Sequence, residues 1–228
     1  MRWYKMDETA WTNDCSTDSV FDSSGNTKHG DACPSSTGPV GGATGKYNNA
    51  GSFDGSDDFV KISSPALPTG DFSYSMWVNL TDTTNETIVM SGEDSGGTNE
   101  LNISVANGLV EVRVNGGSAD VTSSQSIPTS TWTHITVTRS GSTQRIYING
   151  KLDPNTGSDG TTLSFGTCAL LIGVDADAIG SNCSATLGEY ATGAIDDIRV
   201  YGYALTSQQI SSIMNEGAVR FGPQTGSP

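Results

Sequence analysis

The closing segment, Gly193–Gly217, constrains the fold of this chain more than any other stretch. It reads GAIDDIRVYGYALTSQQISSIMNEG, where the apolar and β-branched residues of a packed strand precede a turn and an amphipathic helix. Thr206 and Gln209 form a capping box, which predicts a helix over Ser207–Glu216. Gly217 is predicted to end it as the C′ residue. The segment therefore indicates a strand that closes a sheet, followed by one short helix.

Two adjacent carboxylates, Asp196 and Asp197, lie in this strand. Because strand side chains alternate, we expect the two to point to opposite faces of the sheet. A carboxylate that faces the interior needs a cation or several donors, since burial of a bare charge is costly. We therefore expect Asp197 to face solvent and Asp196 to meet an internal partner.

Strand-like runs separated by Gly, Asn, Ser and Asp turns fill most of the remaining chain. Asn107-Gly108 predicts a hairpin ending in Leu109–Val114, where apolar and polar residues alternate as in a sheet with one wet face. The polar stretch Asn13–Lys46 is predicted to be an ordered loop. The pattern predicts an all-β fold, a two-sheet antiparallel jelly-roll sandwich with one short C-terminal helix.

Four stretches resemble the laminin-G-like, concanavalin A-like lectin/glucanase jelly-roll domains. They are the closing segment and three others: Ser52–Val60 (SFDGSDDFV), Asp71–Leu80 (DFSYSMWVNL) and Trp132–Lys151 (WTHITVTRSGSTQRIYINGK). The resemblance implies one such domain over residues 1–217 and an extended tail over residues 218–228. It also implies a lectin-like recognition role.

The resemblance implies a structural calcium ion between the closing strand and an early loop. The family's metal-binding aspartate falls on Asp196. In the loop, Asp22 and Asn26 would supply side-chain oxygens, and Gly25 and His29 would supply backbone carbonyls. The alternative is that the loop is an Asx-type turn and that Asp196 accepts hydrogen bonds from backbone amides.

Asp54, Asp57 and Asp58 form a second acidic group. They indicate either a further cation site or a solvated hairpin turn, and the sequence favours the turn.

Carbohydrate sites on sandwiches use exposed aromatic rings together with carboxylate or amide hydrogen bonds. Trp11 and Tyr190 are the candidate rings, with loop packing as the alternative for each. Asp175 and Asp177 lie on a loop where related lectins sometimes hold ligand, so they are candidate ligand contacts.

The four cysteines fall into two local pairs, Cys15/Cys33 and Cys168/Cys183. Their spacing does not match a zinc site. Four cysteines allow three disulfide pairings, and we favour the two local ones, each of which closes a loop. Two disulfides would indicate an oxidising, extracellular or surface location, with buried free thiols as the alternative.

The net charge is −14, from 25 acidic and 11 basic residues. This balance argues against nucleic acid and against anionic membranes as partners. No apolar run approaches the roughly 20 residues of a membrane span, so we expect no membrane insertion. Met1–Asp7 leads directly into the first strand, which favours a leader already removed or export without one.

Catalysis has little support in the sequence. The paired glutamates of glycoside hydrolases are missing, and Glu111 lies two residues from Arg113. His134 is expected to be structural. We therefore expect a recognition module that binds a glycan or a protein surface. The alternative is a virion or surface-layer subunit that self-assembles, or docks on a larger particle through its tail, and a hydrolase ranks below both.

Overall fold

The computed structural model describes residues 1–63, 66–84, 87–92, 101–114, 118–163, 165, 170–176 and 187–215. The strands within them, in chain order, are β1 (Arg2–Tyr4), β2 (Asp18–Val20), β3 (Gly30–Cys33), β4 (Val40–Thr44), β5 (Asn49–Asp54), β6 (Phe59–Ile62), β7 (Phe72–Leu80), β8 (Thr87–Gly92), β9 (Leu101–Ala106), β10 (Leu109–Val114), β11 (Val121–Ser126), β12 (Thr133–Ser140), β13 (Thr143–Ile148), β14 (Lys151–Ser158), β15 (Leu170–Ile172), β16 (Asp175–Ala176), β17 (Leu187–Gly188) and β18 (Thr192–Tyr201). The helix α1 spans Ser207–Met214.

Two antiparallel sheets form the sandwich. In the front sheet the order is β14-β13-β12-β7-β18-β5-β4, and β1 also pairs with β18. In the back sheet the order is β11-β10-β9-β8-β15-β6-β3-β2, while β16 and β17 form a small separate hairpin. The predicted all-β jelly-roll fold is confirmed.

The core lies between the sheets and is built by strand alternation. Along β10, Val110 and Val112 are fully buried, whereas Glu111 and Arg113 lie on the other face. Full burial of such a side chain contributes about 1.5–3 kcal/mol. The hairpin that places β10 turns at Asn107-Gly108, where both residues have positive φ (50° and 78°), as a type I′ turn requires.

The expectation of a continuous loop over Asn13–Lys46 is wrong, because β2, β3 and β4 lie within it. These strands have three to five residues and are rich in small and polar side chains. Their pairing into the sheets, β2 with β3, β3 with the more distant β6, and β4 with β5, supplies the order that local propensity does not.

Helix α1 begins as predicted, with the capping box of Thr206 and Gln209 in place. It ends at Met214 with Asn215 as its C-cap, two residues earlier than predicted. Gly217 lies outside the described residues. Ile210 is fully buried against Tyr147, Tyr201 and Leu205. The helix therefore covers part of the outer face of the front sheet, the face that points away from the core.

Candidate cation and ligand site

Asp196 and Asp197 share one face of β18, contrary to expectation. Ile195 and Ile198 both enter the core, although three positions apart they would face opposite ways in a regular strand. Asp197 has φ +49°, and the pairing with β7 shifts register between Asp196 and Arg199. This β-bulge inserts one residue and leaves both carboxylates on the outer face.

Asp197 is buried, so the expectation that it faces solvent is wrong. Its Oδ1 accepts hydrogen bonds from Arg199 Nε at 3.0 Å and from Trp3 Nε1 at 2.6 Å. Its Oδ2 lies 2.9 Å from Arg199 Nη2, and the two side chains are 10% (Arg199) and 7% (Asp197) exposed. The Arg199 guanidinium also stacks over the Trp3 ring at 4.6 Å. The fold thus supplies the cation that Asp197 needs.

Asp196 is fully buried and only partly satisfied. The Tyr47 amide donates to Oδ2 at 3.0 Å, and Oδ1 has no hydrogen-bond partner among the described residues. Burial, with a smaller contribution from the charge of Asp197, raises the pKa of Asp196 to about 7. This orphaned oxygen is compatible with the metal-ligand role implied by the resemblance.

The loop expected to share that metal satisfies its own polar groups. Asp22 Oδ1 accepts from the amides of Trp3 (3.2 Å) and Ser24 (2.9 Å). Burial is the largest influence on the pKa of Asp22 and acts to raise it, but these and other hydrogen bonds together lower it. His29 Nδ1 accepts from the Asp22 amide, and Asn26 Nδ2 donates to the Met1 carbonyl. Gly25, with φ +85°, provides the turn between them.

Strand β1 separates this loop from Asp196. Tyr4 bridges Asp22 on one side and pairs with Ile198 of β18 on the other. Within the described residues, no hydrogen bond joins Asp196 to the Asp22 loop. The calcium site that the resemblance implies at these residues stays a prediction.

The second acidic group is more compact. Asp54, Asp57 and Asp58 each place a carboxylate oxygen within 4.8 Å of the others at the β5–β6 turn. Asp58 is 3% exposed, so the turn is not simply solvated. The Asp54 amide donates to Asp58 Oδ2 at 2.8 Å, and Asp58 Oδ1 has no partner among the described residues. Burial, then the charges of Asp54 and Asp57, raise the pKa of Asp58 to about 6. This acidic triad could bind a metal ion.

Other loops converge on the triad. A Cβ added to Gly55 would lie 2.9 Å from Thr192 Cβ, and one added to Gly173 would lie 3.5 Å from the Asp58 carbonyl oxygen. Tyr190, just before β18, is half-buried, and its pKa is raised by burial and by the charge of Asp57. We call this region, formed by residues 54–58, 173–175 and 188–192, the loop end.

The candidate ligand residues differ in their placement. Tyr190 lies at the loop end, as does Asp175, which is buried; Asp177 is outside the described residues. The Trp11 ring packs against the β4–β5 backbone, because a Cβ at Gly51 would lie 2.3 Å from it. Trp11 Nε1 also donates to Glu8 Oε2 at 3.2 Å. This arrangement fits the loop-packing alternative for Trp11.

The described residues with catalytic potential are constrained by their neighbours. His134 is 1% exposed, and its Nε2 lies 2.9 Å from Ser75 Oγ. Burial, with a contribution from Arg199, lowers the pKa of His134 to about 3, so the imidazole is neutral at pH 7. Glu111 is held 3.1 Å from Arg113 Nη2.

One predicted disulfide, Cys15–Cys33, is present and ties the segment before β2 to β3. Cys168 and Cys183 lie outside the described residues. Within the described part of the chain, no helix is long and apolar enough to span a membrane. The disulfide fits an extracellular or surface protein.

The two-sheet sandwich defines the class of the molecule as a lectin-like jelly-roll domain. The family model for the concanavalin A-like lectin/glucanases superfamily matches residues 54–211, more than half of the sequence. The chain belongs to that superfamily.

Solved structures show the same fold at low sequence identity. Domain 4 of AbnA, a GH43 extracellular arabinanase from Geobacillus stearothermophilus in complex with arabinotriose, is similar with a TM-score of 0.70 and 19% identity, over 93% of this chain and 97% of that domain. The SAP-like pentraxin from Limulus polyphemus has a TM-score of 0.56 and 16% identity, over 72% of this chain and 80% of its own. The botulinum neurotoxin serotype D binding domain has a TM-score of 0.62 and 16% identity, over 95% of this chain and 52% of that one. No curated protein matches the sequence.

Proposed function

We propose that this domain is a non-catalytic, lectin-like module that recognises glycans on an extracellular or particle surface through its loop end. The observation that carries the proposal is the convergence there of the half-buried Tyr190 ring with the carboxylates of Asp54 and Asp57. The arabinotriose complex of the similar arabinanase domain supports a carbohydrate as the ligand class.

The chemistry of the loop end suits a sugar. An aromatic ring offers an apolar face and a polar hydroxyl, so it can stack on sugar C–H groups while its edge hydrogen-bonds. A carboxylate oxygen accepts hydrogen bonds from sugar hydroxyls, and Asp54 and Asp57 each keep one oxygen without a hydrogen bond from the described residues. A few polar groups beside an aromatic surface are the usual composition of a small-ligand site.

The absence of catalysis is also part of the proposal. A general acid–base residue needs a pKa near the working pH and access to substrate. His134 meets neither condition, since it is buried and neutral. Asp58 has the raised pKa of a candidate acid, so the hydrolase alternative concerns the acidic triad and is tested directly below.

A structural calcium ion belongs to the proposal for the domain. Asp196 contributes one orphaned oxygen, but the Asp22 loop does not join it in the described contacts. Self-assembly, or docking through residues 218–228, is the competing function for the same sandwich, and those residues lie outside the described chain.

A glycan array, followed by calorimetry on the best arabinan or other oligosaccharide, tests the proposal. We expect the wild type to bind and Tyr190→Ala to weaken binding at least about tenfold, a change of about 1.4 kcal/mol. Tyr203→Ala is the matched control, because Tyr203 is 50% exposed and follows β18, whose ten residues span about 30 Å. Equal loss in both variants, or no glycan binding, contradicts the proposal.

Two further measurements separate the alternatives. Product analysis after long incubation with the bound oligosaccharide should show no cleavage, and cleavage abolished by Asp58→Asn would establish a hydrolase. Light scattering at several concentrations should show a discrete species. Polymers without glycan binding would support the assembly alternative.

A further inference from the structure

We infer that Asp54, Asp57 and Asp58 bind a divalent cation, and that calcium is the ion whose ligand preferences they meet. The inference concerns the calcium part of the proposed function and assigns it to the β5–β6 turn. This location differs from the Asp22–Asp196 pair that the sequence resemblance implies.

Asp58 has a buried carboxylate oxygen without a partner among the described residues. The side chain is almost fully buried, and Oδ1 has no hydrogen-bond partner among the described residues. An unpaired buried polar group costs about 1–3 kcal/mol, and more when it is charged. The other oxygen is already held by the Asp54 amide, so the carboxylate cannot turn away without losing that bond. A cation beside Oδ1 removes this cost.

Negative charge accumulates at the β5–β6 turn. Asp54 is exposed, Asp57 half-buried and Asp58 buried, and each places a carboxylate oxygen within 4.8 Å of the others, so the charges repel one another. The ion pairs within the described residues do not reach the triad; that of Arg199 with Asp197, for example, lies on β18. Among the described residues, the fold therefore concentrates negative charge at this turn without pairing it with a basic side chain.

Hydrogen bonds within the fold hold the three carboxylates in position before any ion binds. The Ser56 amide donates to Asp54 Oδ1 at 2.8 Å, which fixes the first side chain in an Asx turn. Thr37 Oγ1 donates to Asp57 Oδ2 at 3.1 Å and ties the turn to the segment before β4. Each carboxylate thus keeps at least one oxygen for a metal, and little ordering remains to oppose binding.

The donor set selects the kind of ion. All three ligands are hard carboxylate oxygens, and no histidine or cysteine of the described residues belongs to the cluster. Zinc favours nitrogen and sulfur ligands. Magnesium demands near-ideal octahedral geometry, whereas calcium takes six to eight oxygens in flexible arrangements. Carbonyls and water can complete the shell around calcium. An ion here would brace the turn beside Tyr190, so its binding would stabilise the loop end.

Calorimetric titration of calcium into the chelator-treated full chain tests the inference, with a thermal melt of each sample. We expect wild type to bind calcium and to melt at a higher temperature with it. Asp58→Asn and Asp57→Asn should each weaken the loop-end calcium site at least about tenfold, because carboxylate count tunes calcium affinity. Asp18→Asn, which removes one exposed charge of β2, should leave affinity within about twofold, as expected for a screened surface charge.

The variants distinguish the possible failures. No calcium binding by wild type at millimolar concentration overturns both the inference and the calcium part of the proposed function, and leaves glycan binding as a separate question. Binding that persists unchanged in Asp58→Asn and Asp57→Asn but is lost in Asp196→Asn overturns this inference and supports the site implied by the family. If Asp58→Asn fails to fold by circular dichroism, Asp57→Asn alone decides, since Asp57 is only half-buried.

Discussion

The chain contains the dipeptide Asp-Asp at two places, Asp196-Asp197 and Asp57-Asp58, and its second residues, Asp197 and Asp58, have opposite electrostatic settings. Asp197 meets the guanidinium of Arg199 and the indole N–H of Trp3. Asp58 meets one backbone amide and two more carboxylates. An aspartate is therefore structural where the fold supplies a cation, as for Asp197, and available for a ligand where it does not, as for Asp58.

The largest loss of stability is expected when the buried ion pair of Asp197 with Arg199 is broken. Arg199→Met leaves the buried Asp197 carboxylate without its cation, which typically costs about 3–5 kcal/mol in the free energy of unfolding. Urea denaturation measures the loss. Arg113→Met is the matched control, because its pair with Glu111 lies on a more exposed face and should cost about 1 kcal/mol or less. Equal losses in the two variants would contradict the contrast.

His134, on the outer face of the front sheet, should make the free energy of unfolding depend on pH. Its pKa is about 3 in the folded chain and about 6.5 in the unfolded chain, so acid protonates the unfolded state first. The contribution of His134 to stability should therefore fall as pH drops below 6.5, by up to about 1.4 kcal/mol per unit, until the pKa of the folded state is reached. Burial raises the pKa of Asp196 on the same face to about 7, which contributes the opposite slope. The measured quantity is therefore the difference between the slopes of wild type and His134→Gln in urea unfolding between pH 7 and pH 4.5. Identical slopes would show that His134 does not contribute.

Helix α1 connects to the same region, since the Tyr47 hydroxyl donates to the Met214 carbonyl and the Tyr47 amide binds Asp196. Thr206→Ala removes the N-cap and should lower the free energy of unfolding by about 1 kcal/mol. The calcium affinity of the loop end should not change, because the triad is built on the β5–β6 turn. A lower calcium affinity in Thr206→Ala would mean that helix α1 and the loop end are coupled.

The smallest expected change is a gain in stability, for Asp58→Asn. In chelator, Asp58→Asn removes a buried like-charge repulsion while its amide oxygen can still accept from the Asp54 amide. We expect a gain of up to about 1 kcal/mol in the free energy of unfolding. With calcium present the order should reverse, and wild type should be the more stable. A variant less stable than wild type in chelator would show that the Asp58 charge is satisfied by the protein itself.

Local patterns predicted the parts of the fold that local chemistry determines. Asn107-Gly108 specified its turn because both residues tolerate positive φ, and Thr206 with Gln209 specified the helix start. The strands β2 to β4 escaped prediction because they are short and rich in small and polar residues, and because β3, with which β2 pairs, is itself ordered by the more distant β6.

The candidate site was less predictable for the same reason. The bulge at Asp197 cannot be read from alternation, since it depends on the pairing of β18 with β7. The burial of Asp58 is a property of the tertiary structure: Gly173, which approaches the Asp58 backbone, lies more than a hundred residues away in sequence. The spacing of Asp54, Asp57 and Asp58 was the available signal, but an exposed turn has the same spacing.

A crystal grown in calcium and measured for anomalous scattering tests the central claim most directly. We expect an anomalous peak about 2.3–2.6 Å from a carboxylate oxygen of Asp58, with Asp54 or Asp57 as a further ligand. A peak between Asp196 and the Asp22 loop, with none at the β5–β6 turn, would contradict it.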